Sequence, residues 1–234
     1  MREELRSKRT SEIRRMFGRI ARRYDLLNRV LSLGRDRGWR RLLAQRVVAT
    51  RPRLILDICT GTGDVTLAFD PNLATLGSDF CLPMLVLAKK KAAARRRVLP
   101  LFAGDAMHLP LRDGSVDVVT VAFGVRNFQE LEIGLVELMR VLVPGGVLLI
   151  LEFSRPQGLF GPIMRWWVRT VPPRVGRWIS GDPEAYRYLP DSVSTFPSGE
   201  DMCVLLTKLG LTTVRARALT GGVATLYEGV TPPE

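Results

Sequence analysis

The run Leu54-Ile55-Leu56-Asp57 leads into Ile58-Cys59-Thr60-Gly61-Thr62-Gly63-Asp64, an apolar stretch that ends on a carboxylate and turns through small residues with two glycines. That order is expected where a parallel strand meets a helix and a ligand lies against bare backbone. Two more carboxylates follow the next apolar runs: Asp79, 22 positions after Asp57 and next to Phe80, and Asp105, followed by Ala106. An acid closing a second strand can accept hydrogen bonds from both hydroxyls of a ribose. These residues predict a nucleoside-bearing ligand laid across the strand ends.

A dinucleotide fingerprint needs a third glycine to pack helix against strand, and Thr66 stands at that position. Asp64 adds negative charge where a helix N-terminus would receive a pyrophosphate. A cofactor without phosphates escapes that penalty. S-adenosylmethionine has the complementary chemistry, with a cationic ammonium and sulfonium, a ribose diol and an adenine amino donor. The acids in this order, interleaved with Gly61 and Gly63 and followed by Pro144-Gly145-Gly146 before a fifth strand, resemble the class I methyltransferase pattern. The resemblance implies that Gly61 and Gly63 admit the methionine part and that Asp57 and Thr62 order the loop. It further implies that Asp79, with Phe80 beside it, holds the ribose and that Asp105 and Ala106 meet the adenine. Cys59 occupies the place of a glycine common in such enzymes, and its small size makes the departure mild.

The elements that must position these residues are legible from periodicity. Ile13, Met16, Phe17, Ile20, Tyr24, Leu27 and Leu31 recur at helical spacing among arginines, predicting a basic amphipathic helix or helix pair over 13–31, and a second helix spans 39–50 before Pro52. Strands are expected at 54–58, 73–78, 98–103, 116–123, 147–153, 211–219 and 222–227, and helices at 65–69, around 84–88, 130–143 and 200–209. The clusters Lys89-Lys90-Lys91 and Arg95-Arg96-Arg97 read as a solvated, dipole-favoured helix end. Strands apolar on both faces and alternating with helices indicate a doubly wound α/β domain with a mostly parallel, seven-stranded Rossmann-like sheet. One domain is expected over 1–234: an N-terminal helical cap (1–50), a cofactor-binding core (51–153), a lid insertion (154–198) too long to be structureless, and a C-terminal helix with the final strands (199–234).

Thirty-five Lys and Arg against 23 Asp and Glu give a net charge of +12, so the surface should attract anions. Cys59, Cys81 and Cys203 are an odd number without metal-ligand spacing, which predicts a reducing compartment and no metal. The charged N-terminus lacks a signal-peptide core, and no run of about 18 apolar residues could span a bilayer. The expectation is a cytoplasmic protein, at most peripheral to a membrane.

Beyond the cofactor motifs, the sequence resembles the ubiquinone/menaquinone biosynthesis C-methyltransferases over nearly its whole length. The pieces that carry this are Met16-Phe17 through Arg23-Tyr24-Asp25 with Asn28; Phe123-Gly124-Val125-Arg126-Asn127; Leu151-Glu152-Phe153-Ser154-Arg155-Pro156; Tyr186-Arg187-Tyr188-Leu189 with Ser192 and Phe196-Pro197; and Thr220-Gly221-Gly222-Val223-Ala224. The implied reaction moves a methyl group to a ring carbon of a polyprenylated demethylquinol. A quinol hydroxyl must ionise to make that carbon nucleophilic, and lowering a phenol near pKa 10 by about three units takes roughly 4 kcal/mol of phenolate stabilisation. Arg126 is assigned to hold the phenolate or a bridging water, with Asn127 orienting the ring, since a guanidinium keeps its proton. Tyr24, Phe123 and Tyr188 are assigned to the substrate.

The proton acceptor stays open among a water positioned by Arg126, Tyr188, Tyr24, Asp182 and Glu184, and His108 is read as a surface or adenine-rim residue rather than the base. A salt-bridged scaffold role is the competing reading for Arg126. In the insertion, Pro162 opens an apolar-faced helix with Trp166 and Trp167, suited to a lid or to a membrane contact. Candidate partners are a lipid quinol, an anionic membrane surface and, in a homodimer, a second copy of the chain, with no nucleic acid expected. The naphthoquinol is favoured over the benzoquinol. Two alternatives remain at this stage, a class I methyltransferase of another apolar phenol and a basic nucleic-acid-binding module.

Overall fold

The computed structural model describes residues 2–155, 192, 193 and 195–233. The expected insertion helix, Trp166, Trp167, Asp182, Glu184, Tyr186 and Tyr188 lie outside the described residues.

Seven strands form one sheet in the order β3-β2-β1-β4-β5-β7-β6, with β1 (Leu54–Ile58) and β4 (Val116–Ala122) side by side at its centre. β1 pairs in parallel with β2 (Ala74–Asp79) and β4, β2 with β3 (Leu101–Ala103), and β4 with β5 (Leu142–Phe153). β7 (Ala224–Val230) then runs antiparallel between β5 and β6 (Thr212–Leu219). This is the doubly wound, mostly parallel architecture expected. The strand order reverses between β1 and β4, so a crevice opens outside their carboxyl ends, where such sheets seat ligands.

Helices α1 (Arg2–Leu31), α2 (Asp36–Ala49), α3 (Leu82–Ala94), α4 (Leu131–Val141) and α5 (Glu200–Lys208) flank the sheet. One core layer packs Leu135, Leu138 and Val141 of α4 and Met202 and Leu206 of α5 under Leu56, Val119, Val121 and Ile150. The other sets Trp39, Leu43 and Val47 of α2 against Ile55, Val118, Leu149 and Leu226. The central strands are therefore buried on both faces, which is why they read as uninterrupted apolar runs.

Four local differences from the sequence reading have physical causes. The N-terminal helix is a single element running back to Arg2, and it ends where Leu33 and Gly34 turn left-handed (φ +52° and +75°), with the Gly34 N–H donating to the Arg29 carbonyl at 2.7 Å. The third strand is shorter than expected because Val98 is 94% exposed and has no sheet to join. The Pro144-Gly145-Gly146 turn is incorporated in β5 as a bulge, for Val116 and Val118 of β4 face Leu142 and Val147. The basic clusters are not simply solvated: Lys91 is ion-paired, and Arg97 donates to the carbonyls of Leu67 and Phe69 at 3.2 and 3.0 Å.

Candidate active site

The β1 loop is built around Asp57. Its carboxylate is buried and accepts the Thr60 hydroxyl at 2.5 Å and the hydroxyl of Thr120, its partner across β4, at 2.6 Å. Burial pushes the Asp57 carboxyl up to about 7 against the pull of those two hydroxyls. The folded state thus holds this proton more tightly than the unfolded chain, so its stabilising effect is complete at acid pH and is lost as pH rises toward 7. Relative to Asp57→Asn, the wild type is expected to lose up to about 4 kcal/mol between about pH 4 and about pH 7. Urea melts of both proteins across that range test this, and a difference that does not vary with pH would refute it.

Asp79 closes β2 and ties the neighbouring loops together, accepting the Gly61 N–H on one carboxylate oxygen and the Cys81 N–H on the other, both at 2.8 Å. Burial raises its pKa, and the two backbone donors oppose the shift. Each oxygen retains a second acceptor position, so the carboxylate fits a ribose diol. Asp105 accepts the Met107 N–H at 2.9 Å on Oδ1, while no partner is seen for Oδ2 among the described residues. Both acids, with Phe80, Ala106, Gly104 and Gly124, line a groove open to solvent.

A second cavity adjoins the groove, sharing Cys59, Asp79, Phe80, Gly124 and Asn127 with it. Its remaining walls are largely apolar or aromatic: Phe17 and Tyr24 of α1, Met84 of α3, and Phe123. Together the cavities make one trough, acidic at one end and aromatic at the other. Phe123 is fixed there by packing 4.6 Å from the Phe153 ring and 6.2 Å from Trp39, whose indole donates to the Thr220 hydroxyl at 2.9 Å. Burial raises the Tyr24 phenol, opposed first by the charge of Arg126 and then by Asn28.

The structure thus brings Asp79, Phe80, Gly61, Asp105, Ala106, Asn127, Tyr24 and Phe123 to the trough. Four expected site residues lie behind its wall, the first being Asp57, buried between the Thr60 and Thr120 hydroxyls. Thr62 donates to Asp25 of α1 at 2.6 Å and accepts from Lys91 at 2.8 Å. Gly63, at φ +82°, makes room for α3, since a Cβ there would sit 3.1 Å from that of Ala88. Arg126 turns its guanidinium inward, donating to the Phe123 carbonyl and to Glu152 at 2.6 Å each, with its charge 5.4 Å from the Phe153 ring. Glu152 is fully buried and also accepts the N–H groups of Arg126 and Phe153. The guanidinium therefore faces a carboxylate rather than the trough, as the scaffold reading of Arg126 anticipates.

Asp64 also corrects an expectation. Burial would raise its pKa, but the Lys91 hydrogen bond and the charges of Arg40 and Lys91 outweigh burial and hold it below the ordinary value. Arg40 lies 2.9 Å and Lys91 2.6 Å from its oxygens. Its negative charge is thus compensated, and the case against a pyrophosphate rests on the loop leading only into a three-residue 3-10 helix, Thr66–Ala68.

Of α1, sequence reasoning placed only Tyr24 in the site and missed the rest of its share. Ile13 and Arg14 wall the groove and Phe17 the second cavity, and the Arg14 guanidinium lies 5.8 Å from the Phe80 ring centroid. The helical period had marked Ile13 and Phe17 as apolar, without indicating what they cover. At Cys59 the backbone is left-handed (φ +55°), so conformation as well as size is the physical reason for glycine there.

Comparison with known proteins gives the family and the fold. The model of the ubiE/COQ5 methyltransferase family matches residues 3–231. A demethylmenaquinone methyltransferase of Deinococcus radiodurans is 48% identical over 221 residues, covering 93% of this chain and 91% of the relative. One of Thermus thermophilus is 46% identical over 221 residues, covering 93% of this chain and 100% of the relative. Among solved structures, a SAM-dependent methyltransferase of Thermotoga maritima shares the fold at a TM-score of 0.62 and 19% identity, covering 93% of this chain and 99% of that one.

Proposed function

The chain belongs to the ubiE/COQ5 methyltransferase family, and on that premise we propose that it transfers a methyl group from S-adenosylmethionine to a ring carbon of a polyprenylated demethylquinol, demethylmenaquinol above its benzoquinol counterpart. The observation that carries the reading is the two-ended trough, in which Asp105 and Ala106 mark one end, Phe17, Tyr24 and Phe123 the other, and Asp79 and Asn127 lie in both. A nucleoside suits the first end and a flat aromatic acceptor the second. The preference for the naphthoquinol draws on the demethylmenaquinone methyltransferases among the relatives.

When bound, S-adenosylmethionine supplies an electrophilic methyl group on a sulfonium. Asp79 takes the ribose hydroxyls with its remaining lone pairs, Asp105 and Ala106 meet the adenine, and Gly61 lets the loop backbone approach the methionine part. Asn127 and Tyr24 orient the acceptor ring, and Phe123 packs on its face. Arg126 is a positioning residue: through Glu152 and the Phe123 carbonyl it holds the turn that presents Asn127, and its positive end favours ionised oxygen near Tyr24. Holding the ring carbon in line with the methyl group is a large part of the acceleration.

The test is a methyl-transfer assay offering demethylmenaquinol and the corresponding benzoquinol, with mass analysis of the products. A single added methyl on the ring carbon of the naphthoquinol, at a rate exceeding that on the benzoquinol, is expected. Cofactor binding without turnover of either quinol would sink the proposal and favour a different phenol.

A further inference from the structure

The geometry points to the outer face shared by α1 and α3 as a docking surface for an anionic lipid bilayer. This deepens the lipid-quinol reading and rests on it. The two helices lie side by side and run parallel. Cys81 Sγ reaches the Arg14 carbonyl at 3.7 Å, a Cβ on Gly18 would meet Pro83 at 3.7 Å, and Lys91 bonds Asp25 at 2.5 Å. On α1 the stripe through residues 14, 18 and 25 therefore faces α3, and Ile13, Phe17 and Tyr24 face the trough. Arg15, Arg22 and Leu26 fall on the outward stripe and are exposed. On α3, Met84, Leu85, Ala88 and Ala92 are buried, while Leu82, Val86, Lys89 and Lys90 are exposed.

Two adjacent helices thus present aliphatic side chains to solvent, Leu26 at 50%, Leu82 at 61% and Val86 at 47% exposure, among cations. Aliphatic side chains flanked by Lys and Arg on a helix surface are the pattern that settles into the headgroup boundary of anionic lipid. A second copy of the same face would repel it by charge. Single-stranded nucleic acid would call for exposed aromatic stacking platforms, whereas the exposed apolar residues here are aliphatic. The placement also serves delivery, because Leu82 directly follows Phe80 and Cys81, which line the aromatic cavity. An acceptor ring leaving the bilayer at this face would meet that end of the trough first, with its isoprenoid tail still in lipid.

The experiment is flotation of the full chain with phosphatidylcholine vesicles made with and without phosphatidylglycerol. Wild type is expected to float only with the anionic vesicles and to be released by salt. Reversing Arg15, Arg22, Lys89 and Lys90 to Glu should lower partition at least a hundredfold, at about fivefold for each cation lost near the surface. Leu82→Ser with Val86→Ser should lower it while leaving the salt dependence intact. Both variants should methylate a tailless, water-soluble naphthoquinol at the wild-type rate while failing on long-tailed quinol embedded in the vesicles. Equal flotation of wild type and the charge-reversed variant would overturn the inference, as would preferential binding of an oligonucleotide over the vesicles. Loss of flotation in the variants with no turnover of either quinol by any form would keep the docking face and remove the quinol reading instead.

Discussion

Arg126→Ala is expected to lower stability by about 3–5 kcal/mol and to abolish quinol methylation, because it leaves Glu152 as a lone charge in the core. The Glu152 side chain is 0% exposed, and its Oε1 lies 2.6 Å from the guanidinium. Loss of Arg126 also takes the donor from the Phe123 carbonyl, at the start of the turn that carries Asn127. Replacing both charges together, Arg126→Met with Glu152→Leu, should recover most of the stability, since apolar residues of similar volume commonly substitute for buried ion pairs without loss. Turnover should nonetheless stay ten- to a hundredfold down, roughly 1.4–2.7 kcal/mol of barrier. The reason is that the charge of Arg126 acts on the aromatic cavity from behind its wall, where it is the foremost influence pulling the Tyr24 phenol back down against burial. Urea unfolding, cofactor titration and single-turnover methyl transfer separate these effects, and spectroscopic titration of the phenol should show Tyr24 ionising at higher pH in the double variant. If turnover returned together with stability, Arg126 would be scaffold alone.

That pair also shows how much of the site a sequence can disclose. Phe123-Gly124-Val125-Arg126-Asn127 and Leu151-Glu152-Phe153 stood out as separate motifs, and register brings them together: β4 and β5 are parallel neighbours, with Ala122 beside Leu151. The alternation of apolar runs and helical periods sufficed for the sheet, because two-face burial leaves its mark on every central strand. The carboxylates at the strand ends were legible for the same topological reason. The direction in which a side chain points once its partners are present was not legible. Arg126 looks like a ligand group by position and is turned inward by Glu152. Lys91 looks like a solvated helix end and is drawn to Asp25 and Asp64. Both outcomes depend on carboxylates distant in sequence, and periodicity carries no information about such pairs. The same holds for α1 apart from Tyr24: the apolar stripe announced burial of Ile13 and Phe17 but not that they would wall the trough.

Gly124 and Cys59 supply the other large expected effect. A Cβ at Gly124 would lie 2.4 Å from the Cys59 Cβ, 2.6 Å from its Sγ and 3.2 Å from Val121. The closest of these contacts is between atoms set by backbone, so no rotamer change relieves it. The β1 loop and the β4 turn would have to move apart where both line the trough. Gly124→Ala should therefore cost about 1–3 kcal/mol of stability and weaken cofactor binding at least tenfold, with turnover falling further because Asn127 lies on the displaced turn. Cys59→Gly removes the colliding atoms and relieves an L-residue held at φ +55°, a conformation that costs about 1–2 kcal/mol outside glycine. Alone it should be close to neutral, the relieved strain offsetting the lost packing and the added freedom of the unfolded chain. Combined with Gly124→Ala it should restore most of the lost stability and cofactor affinity, an interaction of about 1–2 kcal/mol in a double-mutant cycle. Residual loss is expected from Val121, which the second substitution leaves in place. Additive effects in that cycle would show that the two positions do not constrain each other. Coupling of the expected sign would explain how this chain carries a cysteine at a left-handed position: the side chain fits only because residue 124 has none.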